Sequence, residues 1–182
     1  MTLEATFTDF EGLPDDVRQI LERRAESLSQ LPSAEEDGDH MLLLTFCVGE
    51  EWYGLDVDSV VEIHTDYHVT PLPSVPRHIL GVINIRGQIT SVTRFASLLD
   101  LPGAEGAEEP VIVVSDGDVE TAMQVDSIGD VVEVERGSLE PPLSVIDKKH
   151  LEYIEGSVAV GDRLVAVVNL RKVLEPIGDG QG

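Results

Sequence analysis

Short apolar runs separated by turn residues recur along the chain from about residue 40 onward. The clearest stretch runs from Ile79 to Leu99, with Gly-Val-Ile-Asn-Ile-Arg-Gly at 81–87. Val and Ile fit a pleated, half-buried surface and Gly permits a tight turn, so this stretch predicts a β-hairpin. The turn is expected near Arg86-Gly87, which places Arg86 at the exposed end of the hairpin.

The same pattern predicts strands on both sides of this hairpin. They are expected at 41–48, 52–57, 111–114, 119–125, 153–160 and 163–170. Residues 58–63 fit a strand or a short helix, because periodicity cannot decide over so short a run. Prolines at 71, 73 and 76 predict an extended surface loop over 67–77, and a short C-terminal helix is expected from Arg171.

The pattern also repeats within the chain. When the hairpin is aligned with 154–174, Gly81 meets Gly156 and the apolar positions coincide. A second alignment matches Val-Asp-Ser-Val at 57–60 with Val-Asp-Ser-Ile at 125–128. Such a repeat indicates two β modules built on one plan rather than a single continuous sheet.

We place the first module at about 40–101 and the second at about 110–174, with the exchange of strands between them undefined. Residues 1–39 form an N-terminal extension. Within it, apolar positions at spacings of three, four and seven predict an amphipathic helix at 14–31, followed by an acidic linker. The pattern favours packing of this helix on its own domain over docking on another protein.

Composition narrows the function. The chain has 182 residues, 42% of them hydrophobic, which is enough for one core or two small adjacent cores. Its formal net charge of −23, from 35 acidic and 12 basic residues, disfavours binding to nucleic acid or anionic lipid. The acidic excess indicates a solvated surface, with adaptation to high salt as one interpretation, and it also favours basic partners.

Compartment and membrane character follow from the same composition. No apolar run approaches the roughly 18 to 20 residues needed to span a bilayer, so direct membrane insertion is not expected. No signal peptide is visible. The single cysteine, Cys47, excludes an internal disulfide and suits a reducing cytoplasm.

Catalytic motifs are absent from the sequence: it has no phosphate-binding loop, paired-cysteine metal site or nucleophile elbow. A strand or loop would not bring His64 and His68 together as a helix would, so neither a metal nor another cofactor is expected. We therefore expect function through surfaces. The alternatives are a small-ligand sensor or regulatory module using the cleft between the modules, and a hydrolase using His64 or His150.

Several motifs follow one another in a fixed order. They are 46–56 (Phe-Cys-Val-Gly-Glu-Glu-Trp-Tyr-Gly-Leu-Asp), 60–63 (Val-Val-Glu-Ile), the loop with Pro71 and Pro76, 81–87, Val125-Asp126, and Gly161-Asp162-Arg163 before 165–170. This ordered set, over roughly 41–174, resembles the CheW family, the adaptors that couple chemotaxis receptors to the histidine kinase CheA.

The resemblance implies an all-β fold of two packed, five-stranded SH3-like barrels, with the N-terminal amphipathic and short C-terminal helices added. It implies a non-catalytic scaffold that binds the regulatory domain of a CheA-type kinase and the cytoplasmic tip of a methyl-accepting chemoreceptor. The implied kinase-binding residues are Val60, Glu62, Ile63 and Arg86. The implied receptor-binding residues are Gly81, Asn84, Arg86 and Gly87.

Two features qualify these residues. For Val60 and Ile63, an ordinary position in the hydrophobic core is the alternative to a role in binding. Arg86 instead offers a planar cation on a rigid turn, which can pair bidentately with a carboxylate. The family usually has a Pro and an Asp-Leu-Arg triplet after the turn, where this chain has Ser91 and Arg-Phe-Ala at 94–96. This departure leaves open a chemosensory pathway other than flagellar chemotaxis.

Overall fold

A computed structural model describes residues 39–102, 109–142 and 148–178. The predicted N-terminal helix lies outside these ranges. The strands are β1 (His40–Val48), β2 (Glu51–Asp56), β3 (Val60–His64), β4 (Ile79–Ile85), β5 (Gln88–Arg94), β6 (Val111–Asp116), β7 (Val119–Gln124), β8 (Ser127–Glu135), β9 (Ile154–Val160) and β10 (Arg163–Val168). The helices are α1 (Phe95–Leu98), α2 (Lys148–Leu151) and α3 (Leu170–Gly178).

Ten strands in the described ranges form two five-stranded sheets, which confirms the predicted fold class. Barrel I has the strand order β3-β6-β7-β5-β4, and barrel II has the order β8-β1-β2-β10-β9. One pair in each barrel is parallel, β5 with β7 and β2 with β10. The other pairs are antiparallel.

Each barrel takes strands from both halves of the chain. The predicted modules, at about 40–101 and 110–174, left this exchange undefined. Neither segment forms a barrel alone, because β1 and β2 belong to barrel II, whereas β6 and β7 belong to barrel I. The physical reason lies after β2, where the 3₁₀ turn Val57–Ser59 replaces a tight hairpin. The chain therefore does not fold back on β2 but crosses to the other sheet as β3.

The structure follows the internal repeat closely. The alignment that matches 57–60 with 125–128 also aligns residues that pair between neighbouring strands. Leu43 and Asp56, which pair between β1 and β2, align with Val111 and Gln124, which pair between β6 and β7. The alignment that matches Gly81 with Gly156 carries the bounds of β4 onto those of β9. Each barrel thus combines two strands of one repeat with three strands of the other.

Two local ambiguities of the sequence are also resolved. The stretch 58–63 contains both alternatives, since the 3₁₀ turn is followed directly by strand β3 (Val60–His64). The apolar run after the Arg86 turn is not one strand, because β5 ends at Arg94 and Phe95–Leu98 is a short helix.

A pair of backbone hydrogen bonds closes each barrel between its two edges. In barrel I, the Thr70 amide donates to the Val82 carbonyl (2.8 Å) and the Val82 amide donates to the Thr70 carbonyl (2.9 Å). In barrel II, Glu140 and Ser157 exchange the same two bonds, at 2.9 and 2.8 Å. We call these contacts the closure bridges.

A glycine lies beside each closure bridge, which explains why Gly81 and Gly156 coincide in the repeat. A Cβ atom on Gly81 would overlap the Thr70 carbonyl oxygen, and the φ angle of +147° is itself unfavourable for other residues. A Cβ atom on Gly156 would lie 2.7 Å from the Glu140 carbonyl oxygen. Only glycine lets the edges approach closely enough to bond.

The two barrels share one hydrophobic core. At its centre, the rings of Phe46 and Tyr53 from barrel II stack at 5.6 Å, and both meet Phe95 edge-on, at 5.4 and 5.1 Å. Smaller clusters fill each barrel. The cluster in barrel I comprises Ile83, Val92, Val111, Val113 and Ala122. Because alternate residues of β6 point to opposite sides, its apolar residues serve both the barrel and the shared core.

Replacing Gly81 with alanine tests the closure bridge. We expect Gly81→Ala to lower the free energy of unfolding by about 3 kcal/mol or more, because it adds a backbone clash to an unfavourable φ angle. Gly87→Ala is the matched control: among the described residues no heavy atom lies within 4 Å of its would-be Cβ, although its φ is also positive. It should lose only about 1 kcal/mol in urea-induced unfolding. Equal losses would show that φ strain alone accounts for Gly81.

Candidate functional site

The hairpin of β4 and β5 ends in a two-residue turn. Ile85 pairs with Gln88, which leaves Arg86 and Gly87 as the central residues, with φ angles of 52° and 87°. Positive φ at both positions is the requirement of a type I′ turn, whose twist matches that of the flanking strands. The Gly87 amide donates to Asn84 Oδ1 at 2.8 Å, so Asn84 helps to fix the turn.

Arginine is an unusual residue at the first turn position. A side chain in the left-handed conformation costs about 1–2 kcal/mol, which is why Gly, Asn or Asp normally occupies it. The second repeat places Gly161 (φ 58°) at the corresponding position of its own two-residue turn. Since that turn forms without arginine, the turn itself does not require the guanidinium of Arg86.

Closure of barrel I brings this turn against the edge strand β3. Arg86 Nη2 lies 3.4 Å from Glu62 Oε2, and His64 Nε2 lies 3.1 Å from the same oxygen. The Glu62 side chain is 19% exposed, whereas that of Arg86 is 62% exposed. One terminal nitrogen of a largely solvent-facing guanidinium is thus paired with a mostly buried carboxylate. We call Glu62, Asn84, Arg86 and Gly87 the binding tip.

The other predicted site residues lie behind this tip. Ile63 is 3% exposed and belongs to the shared core, so of the two interpretations of its side chain the structure places it in the core. Val60 is half-buried and packs against the same core. Gly81 is buried at the closure bridge, where it contributes backbone geometry and no side chain.

Two exposed apolar residues beside the tip were not identified from the sequence. Ile89 is 62% exposed and pairs with Asn84 across the hairpin, and Val61 is 49% exposed on the edge strand β3. A signal for Ile89 was present: once the turn is set at 86–87, the hairpin register places Ile89 opposite Asn84. His64 could likewise have been noted as two residues from Glu62, on the same face of a strand.

Clusters of metal-ligating side chains and membrane-spanning helices are both absent from the described residues. None of their His, Cys, Asp and Glu side chains gather in threes as a metal site would require. Within 39–102, 109–142 and 148–178, no helix has the length and apolar character to cross a membrane.

Comparison with known proteins identifies the family. The family model described as CheW-like domain matches residues 42–177. This chain belongs to the CheW-like family. The family resemblance noted in the motifs is therefore confirmed, and the match ends inside α3, so it takes in both barrels.

Individual CheW relatives agree. The chemotaxis protein CheW of Bacillus subtilis is 30% identical over 134 residues, which cover 73% of this chain and 86% of the relative. That of Rhizobium meliloti is 27% identical over 132 residues, covering 72% and 85%. The crystal structure of the scaffolding protein TtCheW from Thermoanaerobacter tengcongensis superposes with a TM-score of 0.65 at 26% identity, over 71% of this chain and 88% of the other.

Arg94 marks where this CheW-like chain departs from the usual motif after the turn. It precedes α1 without capping it, and its Nε donates to Gln124 Oε1 at 3.2 Å. Gln124 in turn donates to the Tyr67 hydroxyl at 2.9 Å, and that hydroxyl donates to the Glu109 carbonyl. Burial raises the pKa of Tyr67, which keeps it a donor. Arg94 therefore does not cap α1 and instead joins the hydrogen bonds that connect Gln124 of β7 to Tyr67 at the start of the proline-rich loop.

The binding tip predicts an unusual response to substitution. Arg86→Asn should leave the free energy of unfolding unchanged or raise it by up to about 1 kcal/mol, because Asn-Gly is favoured in a type I′ turn. The lost ion pair with Glu62 offsets at most about 1 kcal/mol, since the guanidinium is mostly exposed. Urea unfolding of both proteins provides the measurement. A loss well above about 1 kcal/mol would mean that Arg86 serves stability instead.

Proposed function

We propose that the binding tip is the surface through which this protein holds its kinase. The protein is a chemotaxis coupling adaptor that links chemoreceptors to a CheA-type histidine kinase. The assignment of the tip rests on the left-handed conformation of Arg86, at a turn position where the second repeat has glycine. Strained residues that the fold does not need concentrate at functional sites.

The chemistry of the tip suits a partner that presents a carboxylate. Arg86 offers a planar set of donors, and Glu62 limits the directions in which the guanidinium can point. Val60 supports the β3 edge from the core side, and the kinase regulatory domain meets this edge. Ile63 contributes to the kinase surface through the backbone position of β3 rather than through its side chain.

The receptor tip contacts the hairpin that carries Asn84, Arg86 and Gly87. Gly81 contributes to this contact indirectly, because the closure bridge sets the position of the hairpin. Exposed Ile89 adds apolar area next to the cation, and the combination of apolar area with an arginine is typical of protein interfaces. Arg86 thus belongs to both contact surfaces.

The adaptor works by holding partners in a fixed relation rather than by catalysis, as the description of its structural relative as a scaffolding protein supports. Partners of this kind, a kinase regulatory domain and the cytoplasmic tip of a receptor, imply work in the cytoplasm. The net charge of −23 adds general repulsion toward acidic partners, so a local cation at the tip matters more for recognition than it would on a neutral protein.

Titration against the regulatory domain of a CheA-type kinase from the same cell tests the proposal. Wild-type protein should bind saturably in the micromolar range, and Arg86→Asn should weaken binding by about 5- to 150-fold, as expected when about 1–3 kcal/mol is lost at a hot spot. The difference in affinity between wild type and Arg86→Asn should shrink as salt rises, because salt screens the ion pair that the substitution removes.

Arg171→Asn is the matched control, because Arg171 is an exposed arginine on α3 that pairs with Asp116 at 3.8 Å. It should bind as wild type does. Equal affinity of the wild type and Arg86→Asn for both kinase and receptor would remove Arg86 from the interface, and absence of wild-type binding would overturn the kinase assignment.

A further inference from the structure

Arg136 fixes the start of the described chain at Asp39. Its amide donates to the Asp39 carbonyl at 2.8 Å, and its Nε donates to Asp39 Oδ1 at 3.1 Å. Its Nη2 lies 3.7 Å from Asp56 Oδ2, at the end of β2. The N-terminal extension therefore joins barrel II beside the 3₁₀ turn Val57–Ser59, where the chain crosses to barrel I.

Apolar side chains line this crossing and remain partly open to solvent. Leu42, Val57 and Val60 are half-buried and pack against the shared core. The ladder of β1 and β2 ends one residue short of Leu42 and Val57, which places these two side by side. The Val60 amide donates to the Val57 carbonyl, and Val61 follows on the edge strand β3 with 49% of its surface exposed. We call Leu42, Val57, Val60 and Val61 the junction strip.

The N-terminal extension offers a face that matches the strip. The sequence predicts a helix at 14–31 with one apolar face, made of Val17, Ile20, Leu21, Leu28 and Leu31. At about 100° per residue, Arg24 falls in the middle of that face, one turn before Leu28. A cation among apolar residues needs a carboxylate on the surface that buries it, because an unpaired charge loses its hydration. The face therefore predicts an acidic residue within its docking surface.

Asp58 provides a carboxylate beside the junction strip. It is exposed, and within the described ranges its carboxylate forms no ion pair or hydrogen bond. Its amide donates to Asp56 Oδ1 at 3.0 Å, so the backbone is fixed while the carboxylate stays available. Asp56 also pairs with Arg136, which binds Asp39, so Asp58 lies close to the start of the described chain. Residues 32–38 span up to about 24 Å when extended, at about 3.4 Å per residue, which is enough for the helix to reach the strip.

Another exposed apolar residue shows why the strip suits the helix better than the rest of the surface does. Leu164 is 51% exposed, but it lies beside the first residue of β2, at the opposite end of barrel II from Asp56. Its neighbour Arg163 is a cation, which would repel Arg24. Position and charge therefore both favour the junction strip as the docking surface.

We propose that the predicted helix at 14–31 docks on the junction strip of its own chain, with Arg24 paired with Asp58. The docked helix covers Val61 on β3. In the function proposed above, on which this step rests, the kinase regulatory domain meets the same edge strand. The kinase must then displace the helix before it can bind, and the extension lowers the affinity of the adaptor for its kinase.

Charge reversal in the full chain isolates the pair. Arg24→Asp and Asp58→Arg each place like charges together, whereas the double variant restores an ion pair with the charges exchanged. Arg23→Asp is the matched control, because it makes the same change of residue on the opposite face of the predicted helix. Urea unfolding of each variant confirms that the barrels are folded before comparison.

The first readout uses the free protein, so it does not depend on any partner. A soluble, neutral gadolinium chelate speeds the NMR relaxation of methyl groups that face solvent, and Leu164 is the reference because its exposure is close to that of Val61. In wild type and Arg23→Asp, we expect the effect on Val61 to be at least about threefold smaller than on Leu164, since the docked state dominates. The effects should become similar in each single charge reversal and differ again in the double variant.

Three results would overturn the docking. The first is a wild-type Val61 that is as accessible to the chelate as Leu164. The second is a double variant that fails to regain protection of Val61. The third is protection that increases with protein concentration, which would assign the strip to the extension of a second copy.

The second readout is affinity for the kinase regulatory domain. Arg24→Asp should bind about threefold to tenfold more tightly than wild type, because release of the helix removes the cost of displacing it. The double variant and Arg23→Asp should bind as wild type does. Unchanged affinity in Arg24→Asp, with Val61 released, would overturn the shielding of the kinase surface. Absence of binding by wild type and Arg24→Asp alike would instead reject the proposed function, and the accessibility of Val61 would still decide the docking.

Discussion

The contact between a glycine and a carbonyl oxygen beside each closure bridge determines the geometry of the rest of the molecule. A five-stranded sheet has two edge strands with unpaired backbone groups. In each barrel, one edge strand forms backbone hydrogen bonds with the segment that follows the other edge strand, so some of these groups are paired. The bonds form because Gly81 and Gly156 have no Cβ to meet the Thr70 and Glu140 carbonyls. In barrel I, the same approach carries the Arg86 turn against β3, so the binding tip is a consequence of barrel closure.

Strand exchange makes the two barrels dependent on each other. Neither half of the chain completes a barrel, and the aromatic cluster of Phe46, Tyr53 and Phe95 joins residues of both barrels at the centre of the shared core. The barrels cannot separate without breaking sheet hydrogen bonds and exposing this core. The exchanged strands and the common core therefore make the two barrels one structural unit.

The internal repeat serves as a comparison built into the molecule. Where the repeats agree, as at Gly81 and Gly156, the fold requires the residue. Where they differ, the fold tolerates both residues and another cause is needed. Arg86 occupies a turn position that Gly161 fills in the second repeat, and Arg94 stands where Asn169 offers its side-chain oxygen to the Lys172 amide at the start of α3. Both differences put an arginine on barrel I, in a chain with few basic residues.

The sequence by itself determined the type of fold, the hairpin with Arg86 at its tip and the existence of a repeat. These features rest on local causes: alternation of apolar residues, turn chemistry at 86–87, and spacing along the chain. The family resemblance added Glu62 and Arg86 as candidates. Only the tertiary structure decided which strands share a barrel, because a strand's edge does not specify which distant segment will pair with it. Only the tertiary structure could place Ile63 in the core. It also brings Glu62, His64 and Arg86 together, because β3 and the hairpin are separated along the chain by the proline-rich loop and meet when the barrel closes.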